Sequence, residues 1–369
     1  MENLFVKNKA IKDTKVVVAM SGGVDSSVVA VMLHKAGYNV VGITLQLYDL
    51  GVDLEKKGAC CAGKDIYDAK NVADSLGFPH YVLNYESVFK QEVMEDFADS
   101  YLRGETPIPC VKCNQSVKFR DLFKMAKDLN ADALATGHYV QRIIGPNNEA
   151  QLHRAIDLNK DQSYFLFATT KEQLEYIHFP LGGFTKEHTR ELAKLYGLEI
   201  HDKPDSQDIC FVPNGSYTKV IERLRPDAFI PGDIIDLSGK KLGEHRGIAF
   251  YTKGQRRGLN IGGGDALYVV KIDAKNNQVI VGSEEDLGDK ELIIRDVNWL
   301  MTEPLNNYPN GLDLKVRLRS ASELLPAKIY PIENNQAKVV LAQKARAVTK
   351  GQACVAYLGT QVLGGGFIC

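Results

Sequence analysis

Residues 15–27, KVVVAMSGGVDSS, constrain this chain more than any other stretch. The uninterrupted apolar run from Lys15 to Met20 reads as a strand buried on both faces. It delivers the chain into Ser21-Gly22-Gly23, and a helix begins at about Asp25–Ser27. Two glycines let the backbone turn tightly and bring its N–H groups close to a polyanion. Ser21 and Ser26 add hydroxyl donors, and a helix N-terminus adds about half a positive charge. Such a loop cradles phosphate. The segments that follow keep the same rhythm: a helix over Ser26–Lys35 stopped by Gly37, a strand at Asn39–Leu47, a helix at Asp65–Leu76 stopped by Gly77, and a strand at His80–Asn84. Helices at Ser87–Tyr101 and Gln115–Leu129 then lead into a strand at Asp132–Thr136. This alternation predicts an α/β fold, with an N-terminal doubly wound parallel sheet covered on both faces.

The rhythm changes near Gly215. One amphipathic helix, Ser216–Leu224, precedes Pro231-Gly232-Asp233, and short alternating segments follow, such as Leu267–Asp273 against Gln278–Gly282. Leu314–Arg319, Ala327–Pro331 and Ala337–Leu341 continue the pattern, which predicts two small mainly-β domains, built of antiparallel strands and the last a β-barrel. The expected domains are 1–215, 216–284 and 285–369, with the second boundary at the polar SEEDLGD stretch. A length of 369 residues suits two or three domains. No run approaches the roughly 20 apolar residues of a membrane helix, and the N-terminus carries no secretory signal, so a cytoplasmic protein with no membrane partner is expected. Forty-five basic against 46 acidic side chains leave the net charge at −1. Locally the balance is basic. Lys240–Gly258 holds six Lys/Arg against Glu244, and the chain from Leu312 onward holds eight against Asp313, Glu323 and Glu333. Both stretches suit RNA as well as they suit a solvated strand face.

The string SGGVDS lacks the lysine of a Walker loop and the spacing of GxGxxG. It resembles the PP-loop of the ATP pyrophosphatases, which split ATP to AMP and pyrophosphate to adenylate a substrate oxygen. All six positions match, within the required strand–loop–helix context. The expected ATP-binding residues are Ala19, Met20, Ser21, Gly22, Gly23, Val24, Asp25 and Ser26, with Asp25 near Mg²⁺-bound pyrophosphate as the resemblance implies. Leu45, at the end of the second strand, would offer backbone and side chain to adenine, or is plain sheet core. Gly137, after the fourth strand, would let the backbone approach the nucleotide. The carboxyl ends of strands are where ligands of open α/β sheets gather, which favours Ser21, Leu45 and Gly137 together.

Seven cysteines stand at positions 60, 61, 110, 113, 210, 354 and 369. The odd number argues against a disulfide framework. For Cys110-Val111-Lys112-Cys113, half a zinc site, a redox pair and a nucleophilic thiolate near a helix N-terminus compete; no second CxxC supports zinc, and no metal ligand is assigned. Cys210 lies in KPDSQDICFVP, which reads as a surface loop. A second thiol brought close to the first would suit sulfur exchange. Cys60 and Cys61 are read as incidental thiols in preference to ligands of an iron–sulfur cluster, Cys354 as structural, and Cys369 as incidental.

The strings SGGVDSS, TPIPCVKCN, ATGHY, KDQSYFL, DSQDICF, KGQRRGL and LGGGFI, in this order and at these separations, resemble those of the bacterial tRNA-specific 2-thiouridylases over about Lys15 to Ile368. That resemblance implies ATP-dependent adenylation of the C2 oxygen of the wobble uridine in a tRNA anticodon stem-loop and its replacement by sulfur, with a persulfide sulfur-donor protein as partner. Motif by motif it makes Cys113 the nucleophile and Cys210 the persulfide carrier. It places Ile108, Pro109 and Cys110 beside the target base, and His138, Lys160, Asp161, Gln162, Arg317, Leu318 and Gln352 on tRNA, with Lys253–Arg257 contacting its backbone. The chain departs from the family twice. Cys110 stands where the family carries an Asp suited to acid–base work, which leaves the general acid/base unassigned, and Leu318 stands where an aromatic is common.

Overall fold

Val16, Val17 and Val18 are completely buried at the centre of a five-stranded parallel sheet, as a continuous β-branched run in such a sheet must be. The computed structural model describes residues 3–48, 63–205, 208–212, 215–262 and 265–369. The sheet order is β3-β2-β1-β4-β7, with β1 Lys15–Ala19, β2 Asn39–Gln46, β3 His80–Asn84, β4 Ala133–Thr136 and β7 Ile177–His178. Val17 pairs with Val41 on one side and Leu134 on the other. Alternate residues face opposite ways. Val16, Val18, Val40, Ala133 and Ala135 pack under α1 (Val24–Lys35), α2 (Gly63–Leu76) and the helix Lys186–Leu195. Val17, Ile43 and Leu134, equally buried, face the other layer. α1 is apolar nearly all round and is buried accordingly, and Gly37 at φ +91 follows its end, as the sequence predicts.

This sheet belongs to a compact unit of Met1–Val93, Cys110–Phe211 and Gly359–Val362. The sequence reading missed its antiparallel hairpin β5 (Val140–Ile144) and β6 (Ala150–Arg154), whose β6 residue His153 pairs with Gln361. It also missed β7, which is only two residues long.

The second unit comprises Met94–Pro109, Val212–Leu358 and Leu363–Cys369. A four-stranded sheet runs β10-β11-β8-β9, from β8 Gly232–Asp236, β9 Lys241–His245, β10 Tyr268–Asp273 and β11 Gln278–Gly282. Here one expectation is corrected. β8 and β11 pair in parallel, because a long crossover, not a hairpin, joins them. Ile234, Val269, Val279 and Val281 form the core. The last module is a closed barrel. β12 (Gly288–Trp299) pairs with both β15 (Gln336–Arg346) and β17 (Gln361–Ile368), and the circuit runs through β14 (Leu325–Ile332), β13 (Leu312–Arg317) and β16 (Ala353–Leu358). Closure leaves no open edge among these six strands. Cys354, 1% exposed, fills the barrel core, and burial pushes its thiol pKa up. Among the described residues no helix is long and apolar enough to cross a membrane.

Candidate active site

The loop after β1 is braced from within. Ser26 Oγ accepts the Ser21 N–H at 3.0 Å and lies 3.2 Å from Ser21 Oγ. Ser26 is buried while Ser21 is exposed, so Ser26 shapes the loop and Ser21 is the hydroxyl turned to solvent. Gly22 has φ +72, and a Cβ there would lie 1.9 Å from the Asp65 carbonyl oxygen. Gly23 caps α1, whose first-turn N–H groups have no partner within the helix. A Cβ on Gly137 would come 2.7 Å from the Ser26 nitrogen, so the turn after β4 crosses directly over the first turn of α1. Leu45 is 6% exposed near the end of β2. The carboxyl ends of the adjacent strands β1, β2 and β4 thus lie beside the first turn of α1, an arrangement that suits an anionic nucleotide.

Asp25 is not left open. Lys186 Nζ donates to both its oxygens at 2.7 and 2.8 Å, and Tyr139 Oη donates to Oδ1 at 2.8 Å. Burial, and then the Asp25 charge, push the Tyr139 phenol up, so it stays protonated as a donor. Lys186 Nζ also reaches Asp205 Oδ1 at 2.9 Å, and Asp205 takes Lys160 at 2.6 Å and Arg190 at 2.9 Å. Burial pushes the Asp205 carboxyl up, but the Lys160 and Lys186 ammoniums outweigh it and bring it down to about 2. Nearby, Lys203 Nζ donates to the Gly22 carbonyl at 2.9 Å and to Asp65 and Asp68 at 2.6 Å each. Lys186, Tyr139, Asp205 and Lys203 were all absent from the sequence reading. The only signal that could have found the last two is their place in KPDSQDIC, beside Cys210.

For a divalent cation the fit is partial and chemically ordinary. Asp25, in the first turn of α1, would hold the ion in exchange for its contact with Lys186, since Mg²⁺ takes one or two carboxylates plus substrate phosphates. Among the described residues no cluster of three or more His, Cys, Asp or Glu could hold a metal. Cys60 and Cys61 lie outside the described residues.

The cysteine helix starts earlier than the sequence suggested. It opens at Pro109, runs as α-helix to Cys113, widens to a π-helix over Asn114–Phe119 and returns to α-helix at Arg120–Asp128. Pro is favoured at the first helical position. Cys113 is thus the fifth helical residue, beyond the first-turn N–H groups, and of the two thiols in the string Cys110 is the one at the helix start. Cys113 is buried and Cys110 exposed. Wide π-turns occur often at functional positions, and this one follows Cys113 directly. Cys210 is half-buried. Its carbonyl accepts Tyr48 Oη at 2.9 Å, and Phe211 packs edge-on to Phe89 at 5.7 Å, so the stretch expected to be a surface loop is pinned at this end.

The residues expected on tRNA divide into two groups. Asp161 has a fully buried side chain that accepts from Arg154 Nε at 2.9 Å and from the Ser163 N–H at 3.1 Å. Arg317 and Leu318, at the end of β13, are 7% and 6% exposed, with the Arg317 guanidinium 5.7 Å from the Tyr357 ring. These three side chains are largely buried, Asp161 against Arg154 and the other two in the barrel wall. Gln162 Oε1 accepts the Tyr139 N–H at 2.8 Å. His138 lies beside Thr136 Oγ1 at 2.9 Å, and burial, helped by Lys118, pushes it down to about 3, so it is neutral at physiological pH. Gln352 Nε2 donates to the Thr106 carbonyl, which together with Thr106 N–H to Lys350 fastens the stretch before Ile108 to the barrel. Ile108 and Pro109 are buried; Arg256 and Arg257 are exposed, while Lys253 is paired with Asp289 at 2.6 Å.

A parallel α/β sheet with a phosphate loop at the end of β1 and Gly137 crossing over it defines a HUP-type, ATP-utilising domain. A family model described as the tRNA methyl transferase HUP domain matches residues 14–214, one described as its PRC-barrel domain matches 218–283, and an aminomethyltransferase beta-barrel domain matches 289–368. The chain belongs to the tRNA-specific 2-thiouridylase family. It is 59% identical over 361 residues to the tRNA-specific 2-thiouridylase MnmA of Rickettsia africae (strain ESF-5), covering 98% of each chain. It is also 59% identical to that of Rickettsia prowazekii (strain Madrid E), covering 96% of this chain and 98% of the other. A solved 4-thiouridine synthetase–RNA complex with bound ATP matches at 21% identity and TM-score 0.37, over 58% of this chain and 51% of that one.

Two outcomes follow from this geometry. Gly22→Ala should weaken ATP binding at least about tenfold by equilibrium dialysis, while Gly197→Ala, at φ +69 with nothing within 4 Å of its Cβ, should leave it unchanged; equal affinities for all three proteins would exclude the close approach at Gly22. Asp205 has its folded pKa below its unfolded one, so its ionised form stabilises the fold above about pH 4, and that contribution disappears as pH falls toward about 2. In urea titrations Asp205→Asn should be less stable than the parent by about 1–2 kcal/mol at neutral pH, with the gap closing on acidification.

Proposed function

We propose that this protein is an ATP-dependent tRNA-uridine 2-sulfurtransferase that thiolates the wobble uridine, position 34, in the anticodon stem-loop. The observation that carries this reading is that the phosphate loop and both thiols, Cys113 and Cys210, belong to one compact unit. A methyl transfer, which the family model's description names, would need neither a pyrophosphate-releasing loop nor a thiol pair. The family relation over nearly the whole chain supports the same reading.

The uridine C2 carbonyl is amide-like and a poor electrophile. Its oxygen attacks the α-phosphorus of ATP, pyrophosphate leaves, and C2 then carries AMP as a leaving group. Mg²⁺, held by Asp25 and phosphate oxygens, would neutralise charge on the pyrophosphate. A persulfide on Cys210, loaded by a sulfur-donor protein, offers its terminal sulfur to C2. The Cys113 thiolate attacks Cys210 Sγ, the old S–S bond breaks, and sulfur remains on C2 as AMP departs with the oxygen. The resulting Cys113–Cys210 disulfide is reset by cellular thiols. A route through released hydrosulfide uses the same two residues.

The remaining assignments form part of the proposal: ATP at Ala19–Ser26, Leu45 and Gly137; the target base beside Ile108, Pro109 and Cys110; and tRNA at His138, Lys160, Asp161, Gln162, Arg317, Leu318, Gln352, Arg256 and Arg257. Domains 1–215, 216–284 and 285–369 would act as the adenylation and thiolation unit, a linking β module and a tRNA-positioning barrel, in a cytoplasmic setting. The spans of the three family models support these divisions.

With ATP, Mg²⁺, a persulfide source and unthiolated tRNA, thiolation read on a mercury-containing gel should fall below about a hundredth of the parent rate in Cys113→Ser and in Cys210→Ser, while tRNA-dependent pyrophosphate release persists. Thiolation that survives Cys210→Ser would exclude the persulfide role. Replacing Arg256 and Arg257 by Ala should weaken tRNA binding and flatten the log–log salt slope by about one to two; an unaltered slope would exclude their phosphate contacts.

A further inference from the structure

The peptide between Gly22 and Gly23 joins two residues without a Cβ, so its own chain leaves it free to turn over at little cost. At Gly22 the Asp65 carbonyl lies 1.9 Å from where a Cβ would be, but at Gly23 a Cβ would meet only Ser21 Oγ, at 3.4 Å. The orientation of this peptide decides what the loop offers an anion. In a planar trans peptide the carbonyl and the following N–H point in opposite directions, so one side presents a donor and the other presents an oxygen. Lys203 Nζ donates to the Gly22 carbonyl at 2.9 Å, and to Asp65 Oδ1 and Asp68 Oδ2 at 2.6 Å each. Both carboxylates belong to α2 and are nearly buried. An ammonium carries three donors, and these three acceptors use them all.

We propose that Lys203 is a positioning residue for the nucleotide: by holding the Gly22 carbonyl on the side of Asp65 and Asp68, it keeps the Gly23 N–H on the opposite side, where phosphate binds. The proposal rests on the ATP-binding reading above. With the peptide turned over, its carbonyl would face the phosphate and its N–H would face the Lys203 ammonium, and both encounters are unfavourable. Asp65 and Asp68 fix the ammonium in place, so α2 contributes to phosphate binding without touching it. Lys203 acts through the loop backbone, since its donors are already committed, and it does so from 181 residues further along the chain.

The test measures binding, not turnover. Equilibrium dialysis of full-length protein with ATP, with inorganic pyrophosphate and with adenosine is run on the parent, on Lys203→Met and on Lys203→Met/Asp68→Asn, with folding checked by far-UV circular dichroism. The double variant restores the local charge balance, so a loss of affinity there is not a loss of positive field, and it keeps the test decisive if Lys203→Met folds poorly. We expect both variants to bind pyrophosphate and ATP about tenfold or more weaker, the scale of one lost hydrogen bond to a charged group. Adenosine affinity should stay within about twofold of the parent, because its contacts lie off the loop. Asp68→Asn alone, which leaves Lys203 on Gly22, should bind pyrophosphate at least as tightly as the parent. Pyrophosphate affinity retained in the folded double variant, an equal loss for adenosine, or the same loss in Asp68→Asn alone overturns the positioning role and leaves the ATP reading standing; a parent that does not bind ATP overturns both.

Discussion

The van der Waals contact between Gly22 and the carbonyl of Asp65 sets the geometry on which the site depends. No side chain fits there, and the positive φ removes the alternatives. That approach closes the phosphate loop against the start of α2 and leaves the Gly22 carbonyl facing Lys203. Gly137 repeats the device on the other flank, letting the turn after β4 cross the first turn of α1. With both glycines in place, the loop after β1 and the turn after β4 both close against the segments beside them, Asp65 in one case and the first turn of α1 in the other.

Charges at this end of the sheet are buried in compensated sets. Arg154 and Asp161 form an inward-facing pair, and Lys186 is shared by two carboxylates. Pairs of this kind add little net stability, since desolvation consumes most of the attraction, but leaving one partner alone is costly. Their value here is specification. Asp161 fixes the turn at Ala155 and Ser163, and Gln162 fixes Tyr139, whose hydroxyl reaches Asp25. The KDQ string, expected on tRNA, also holds Tyr139, the partner of Asp25, in place.

The second unit shows the same economy on a β scaffold. Residues 94–109 belong to it although they fall inside the first half of the chain. Tyr101 stacks on Tyr217 at 4.6 Å, Arg225 pairs with Asp99, Glu105 with Arg295, and Thr106 with Lys350 and Gln352. In sequence this stretch continues the helical rhythm before it, and nothing local marks that its contacts lie more than a hundred residues further on.

What the sequence by itself determined was whatever depends on spacing between near neighbours. β1, the glycine loop, α1 and β3 were legible because apolar runs, glycines and helix periodicity act within a few residues, and the alternating segments of the barrel were legible for the same reason. The helix around Cys113 was misplaced by six residues because Pro109 as a first helical residue reads equally well as a turn. Tertiary structure alone decided that β8 and β11 run parallel, that Arg317 and Leu318 face inward, and that Asp25 meets Lys186 across 161 residues of sequence. Those pairings are fixed by the path of the chain through the sheet and by the high cost of an unpartnered charge in a buried place, and neither quantity is written in any local pattern.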